Sequence, residues 1–216
     1  MVTGVLEQPA VETPDRAKRQ QILDGARKVF LGHGFDGASM GEIARAAGVS
    51  KGTLYVYFDS KETLFEALIV AERSSLAEAL FRLDENDPDT RAVLRRLGVS
   101  FVQMMVRPDH VASVRMVIGA AEKFPRFGQL FYEWGPQVGQ RRLGAYLDRQ
   151  VDAGRLDIDD TETAARQFME LCSSGIFKRL LFGVAAEAPN AAEIERTVGG
   201  ALRLFFAAYG RDAGQS

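Results

Sequence analysis

The chain has 216 residues, 46 % hydrophobic and 26 % charged, with a formal net charge of −2, the profile of a soluble globular protein with room for one medium domain or two small ones. No run approaches the roughly 18 consecutive apolar residues of a membrane span, and the opening MVTGVLEQPAVETPDR lacks the basic and apolar regions of a signal peptide, so a cytoplasmic location is expected. One cysteine, Cys172, and two histidines, His33 and His110, exclude an internal disulfide and offer no metal-ligand or nucleophile–base grouping; no metal, cofactor or enzyme activity is expected, and both histidines are expected at the surface or in loops.

Residues 1–15 carry Pro9, Pro14 and acids without periodicity and read as a disordered arm. From Arg16, the four-residue spacing of Ile22, Ala26 and Phe30 predicts a helix ending at Gly32/Gly34. The stretch Gly32-His33-Gly34-Phe35-Asp36-Gly37 matches G-x-G-x-x-G. It closes a helix instead of following a strand, so its glycines read as cap and turn residues and not as a dinucleotide fingerprint.

Residues 39–61, SMGEIARAAGVSKGTLYVYFDSK, carry the sharpest signal. Met40, Ile43, Ala44 and Ala47 fall on one helix face, and Ser39 with Glu42 three residues later forms a capping-box pattern. Gly48 supplies a left-handed stop, and Ser50 caps a second helix, Lys51 to Phe58, whose buried pair is Leu54 and Phe58. Two short helices with a tight turn present one helix to a DNA major groove. Lys51, Gly52, Thr53, Tyr55 and Tyr57 are the candidate groove and backbone contacts, with Ser39 and Lys61 placed for phosphates at helix N-termini and the capping Ser50 counted among the DNA-binding residues.

The run Arg19–Leu68 resembles the N-terminal domain of the TetR family of bacterial transcriptional repressors, through Ile22, Ala26 and Phe30, the stretch 34–58, and Ser60-Lys61-Glu62-Thr63-Leu64. Val56 and Tyr57 stand where the family more often has an aromatic and a histidine. The resemblance implies a DNA-binding head over 16–62 and a helical regulatory and dimerisation domain over 63–212. Between Arg16 and Glu62, eight basic residues face five acids, a local excess of three that leaves −5 on the rest. Phosphate attraction depends on that local charge and not on the whole-chain balance.

Beyond the head, helices are predicted over 60–83, 90–106, 110–123, 126–153 with a break at Gly135-Pro136, 160–182 and 190–209, and no strand-type alternation occurs. The predicted fold is all-α. Phe101, Met104, Met105, Met116, Phe124, Phe127, Phe131 and Trp134, with Phe168 and Cys172, either fill a core or line a cavity for a small hydrophobic or amphipathic effector. Phe168, Cys172, Gly175, Ile194, Val198, Leu202 and Phe205 on the two closing helices either bury within their own domain or form a homodimer interface; the resemblance implies the interface. Ala121-Glu122-Lys123-Phe124-Pro125, Phe131-Tyr132-Glu133 and Ala164–Phe168 further resemble one subgroup of these regulators, which implies control of efflux or stress genes. The expected function is a ligand-responsive repressor that binds a palindromic operator as a dimer. The alternative is a helical binding protein or enzyme that carries a vestigial head.

Overall fold

A computed structural model of the chain describes residues 14–185 and 187–211. Eleven helices occur among these residues, with one isolated backbone bridge, between Leu156 and Gly210, in place of any sheet. The chain divides into two compact units at Leu68/Ile69.

The first unit holds α1 (Pro14–Gly37), α2 (Met40–Ala47), α3 (Lys51–Tyr57) and the first two turns of α4 (Lys61–Leu80). Most of the arm expected over 1–15 lies outside the described residues, but Pro14 and Asp15 already belong to α1, where proline at the helix start loses no backbone bond. The helix breaks where its end was expected, at Gly34 (φ 71°, ψ 176°), and a short helical stretch continues beyond the break to Gly37. Ile22, Ala26 and Phe30 are buried with Ile43, Leu54 and Leu64. Rings of Phe30, Phe35 and Phe65 meet at centroid distances of 4.9 to 5.9 Å. Leu64, Phe65 and Leu68 belong to this core, which carries the unit past the boundary expected at residue 62.

Helices α1 and α2 cross closely at Gly25. A β-carbon there would lie 2.6 Å from the backbone of Ala47, a distance that only glycine permits.

The second unit continues α4 and adds α5 (Thr90–Met105), α6 (Pro108–Ala121), α7 (Pro125–Trp134), α8 (Pro136–Asp152), α9 (Thr161–Ser173), α10 (Phe177–Leu181) and α11 (Ala191–Tyr209). Prolines begin α6, α7 and α8, while Asp89, Asp160 and Asn190 cap α5, α9 and α11 through side-chain oxygens. The helix expected over 60–83 ends at Leu80, and that expected over 160–182 breaks after Ser173 and resumes as α10 beyond Gly175 (φ 73°).

Helices α5, α8, α9 and α11 enclose the core, in which Leu94, Leu143, Tyr146, Phe168, Cys172, Val198 and Phe205 are buried. Six of the seven residues assigned to a dimer interface (Phe168, Cys172, Ile194, Val198, Leu202 and Phe205) are thus committed to their own domain and closed to a partner. The reason is that a helix places its most apolar stripe in its own core first.

Candidate DNA-binding surface and effector cavity

Local chemistry builds the head. Ser39 caps α2: its Oγ accepts from the Glu42 amide at 3.3 Å, and the Glu42 carboxylate accepts from the Ser39 amide at 3.1 Å and its hydroxyl at 2.7 Å. That hydroxyl holds the Glu42 carboxyl below its usual range. Gly48 ends the helix in the left-handed region (φ 66°, ψ 36°), its amide reaching the carbonyls of Ala44 and Arg45. The Gln21 side-chain amide donates to the Ala47 carbonyl at 2.6 Å, tying α1 to the same turn.

Ser50 caps α3 through the Thr53 amide at 2.9 Å, and the two hydroxyls lie 2.8 Å apart. On this seven-residue helix Leu54 faces inward, and the following Phe58 is buried under the Arg19 guanidinium at 5.2 Å. Lys51, Gly52, Tyr55 and Val56 form the exposed surface, with Val56 82 % accessible. The Lys51 chain runs over Gly41 of α2, where an added β-carbon would sit 2.9 Å from its Cε. Among the described residues, a β-carbon added at Gly52 would meet only Ser50 Oγ, at 3.7 Å, so its surface is open to close approach. Tyr57 is half-buried, and the Asp15 carboxylate hydrogen-bonded to its phenol pushes the Tyr57 pKa up.

Lys61, expected to meet phosphate, is engaged within the head itself. Its Nζ donates to the carbonyls of Phe35 at 2.8 Å and Ala38 at 3.0 Å and sits 4.5 Å from the Phe35 ring centroid. The amine therefore closes the C-terminal end of α1, which carries negative dipole charge.

The second unit holds a cavity of about 990 Å³, walled by α4 to α10. Of the ten residues expected there, Phe101, Met104, Met105 and Phe131 line it. Phe127, Phe168 and Cys172 instead fill cores, Trp134 is exposed, and Met116 and Phe124 are partly buried away from the lining. Burial pushes the Cys172 thiol up to about 12, so it is an inert packing group. Gly175, expected at the dimer interface, is part of the wall.

Arg73 and His110 also face this space, and spacing by apolar type passed over both. Arg73 is 5 % exposed and His110 7 %. One guanidinium nitrogen, Nη1, donates to His110 Nδ1 at 3.3 Å, and the Phe131 ring centroid lies 4.3 Å from Arg73 Cζ. His110 is therefore a buried helix residue and not the surface or loop residue expected. For Arg73 a signal existed: Ile69, Arg73 and Ala77 recur every four residues on α4, and all three are buried.

Residues 22–68 match the family described as bacterial regulatory proteins, tetR family, and residues 92–211 match the AefR-like transcriptional repressor, C-terminal domain. The chain belongs to the TetR family. It is 28 % identical over 169 residues to the transcriptional repressor AcnR of Corynebacterium glutamicum, covering 78 % of this chain and 85 % of that one. Among solved structures, a Mesorhizobium loti protein described as a TetR-family regulator superposes with a TM-score of 0.88 at 25 % identity, covering 93 % of this chain and 100 % of that one. The Flavonoid-responsive Regulator FrrA has a TM-score of 0.78 at 34 % identity, covering 91 % and 99 %. The protein is thus a DNA-binding transcriptional regulator with repressor relatives.

Two expected results concern this TetR-type framework. Lys61→Ala removes charge-assisted bonds to two carbonyls, so the head should lose about 1.5–3 kcal/mol of stability, measured by urea unfolding, while the salt dependence of DNA binding stays unchanged. Unaltered stability with a salt slope lowered by about 1 would restore the phosphate role.

The second concerns pH. Burial, with the Arg73 charge beside it, pushes the His110 pKa from 6.5 down to about 4. Between these values the unfolded chain binds a proton that the folded chain refuses, so stability falls as pH drops through that window, by on the order of 3 kcal/mol. Urea unfolding at about pH 7 and about pH 4.5 should show a shallower dependence in His110→Gln than in wild type; equal dependences would contradict it.

Proposed function

We propose that this regulator is an effector-responsive repressor that binds a palindromic operator as a homodimer in the cytoplasm, and that it catalyses no reaction. The observation that carries the reading is the joining of a surface-presenting α3 to a roughly 990 Å³ cavity within one TetR-family chain. Volumes of this order suit a drug-sized organic molecule. The flavonoid response of FrrA supports an effector with an aromatic, amphipathic body, and Phe81, Phe101, Phe131 and Phe177 in the lining suit such a body.

For DNA contact, Lys51 and the α3 N-terminus meet phosphates, Gly52 allows the backbone to approach, and Thr53, Tyr55 and Tyr57 read base edges. Val56 joins them as an apolar group suited to a thymine methyl. The outward face of α11 supplies the dimer contact: Leu204 is 60 % exposed, beside Gly200, Ala207 and Ala208, small residues that let a partner helix come close. Dimerisation sets two α3 helices at half-sites about one DNA turn apart.

Helix α4 carries the switch, since Lys61–Leu68 belong to the head and Arg73, Leu76, Ala77 and Leu80 wall the cavity. An effector that fits only one position of this wall shifts α4 and changes the spacing at which the two heads are presented. Fluorescence anisotropy against DNA upstream of the gene and a scrambled duplex tests the reading. Selectivity of about 10³-fold is expected, and equal weak binding to both counts against it.

A further inference from the structure

The cavity is apolar over most of its wall but carries one buried permanent charge. Arg73 lies on the α4 wall among Leu76, Ala77 and Leu80, and a guanidinium cannot shed its proton to escape burial. Its contacts include the His110 ring, the Phe131 face and, 3.9 Å from Nη2, the carboxylate of the adjacent Glu72. Because Arg73 only donates, His110 Nδ1 accepts, and the proton of the neutral ring resides on Nε2. The wall thus holds a cation beside a neutral imidazole. Of the charged groups nearer the solvent, Arg166 and Lys178 outnumber Glu170.

We infer that the effector is an apolar organic acid with a single carboxylate, received by Arg73 and His110, with its body against Phe101, Met104 and Phe177. This inference rests on the effector-cavity reading above and narrows it to one ligand chemistry. A carboxylate opposite a guanidinium in a mostly apolar cavity gains charge-assisted hydrogen bonds, which are stronger than those of a neutral carbonyl. An amine of the same shape meets a like charge and is excluded.

The test uses the full-length protein and a matched pair of probes, biphenyl-4-carboxylate and biphenyl-4-carboxamide, titrated by calorimetry. Wild type should bind the acid about tenfold or more tightly than the amide. Arg73→Gln should erase that preference while leaving amide affinity within about twofold, and Arg73→Lys, which restores the charge, should recover most of it. The wild-type ratio stands even where a variant folds poorly. Equal affinities in wild type, a preference surviving in Arg73→Gln, or no binding of either probe would each overturn the inference. Operator anisotropy with the same probes separates the two levels. Acid-selective binding that leaves the operator bound would keep the carboxylate site and refute the switch; equal release by acid and amide would keep the switch and refute the carboxylate site.

Discussion

Gly25→Val is expected to disable the DNA-binding head. The first atom of the new side chain would fall 2.6 Å from Ala47 Cα, Cβ and N, and two of those atoms are backbone that no rotamer change can move. Leaving glycine for a better helix former gains under about 1 kcal/mol. Overpacking costs about 1–3 kcal/mol, and more where helix backbones must part, so the collision wins. Because Ala47 immediately precedes the Gly48 turn that aims α3, separating α1 from α2 also displaces the recognition surface. Operator binding should be lost, and the melting temperature of the head should fall. Wild-type melting with intact operator affinity would show that the crossing is looser than described.

Leu204→Asp should convert dimers to monomers and lower operator affinity by about 10²–10³-fold. A second head tethered to the first binds at high effective concentration, and avidity gains of about 10²–10⁴ vanish with the tether. Leu204 is 60 % exposed, so the substitution should leave the monomer fold and its melting temperature nearly unchanged. Val198→Asp on the same helix provides the contrast. Its side chain is fully buried, and a carboxylate there should unfold the second unit. Light scattering distinguishes the two variants. A dimeric Leu204→Asp protein with undiminished operator affinity would move the interface elsewhere.

The head was legible because its determinants are local. Ser39 with Glu42, Gly48, Ser50 with Thr53, and the Leu54/Phe58 pair all act within four residues, where helix geometry fixes which groups meet. The bonds of Lys61 to carbonyls were not legible because those partners lie 23 to 26 residues upstream, at the end of another helix. In the second unit the order of helices was readable, but the destination of each apolar stripe was not. Phe168 and Val198 have the same hydrophobicity whether they meet their own domain or a partner. Cavity lining was legible in part: Phe101 and Phe131 reach the space, while Phe127 packs away from it. Arg73 and His110 were missed because a search for large apolar side chains passes over polar and charged residues that stand in an apolar wall.

The most direct test of a dimeric, sequence-specific repressor is selection of duplexes by the purified full-length protein from a random DNA pool, followed by anisotropy on the enriched sequence. The account predicts an inverted repeat with half-sites about one helical turn apart, bound about 10³-fold more tightly than its scramble. Enrichment of no motif, or of a single unrepeated half-site bound by monomer, would contradict it.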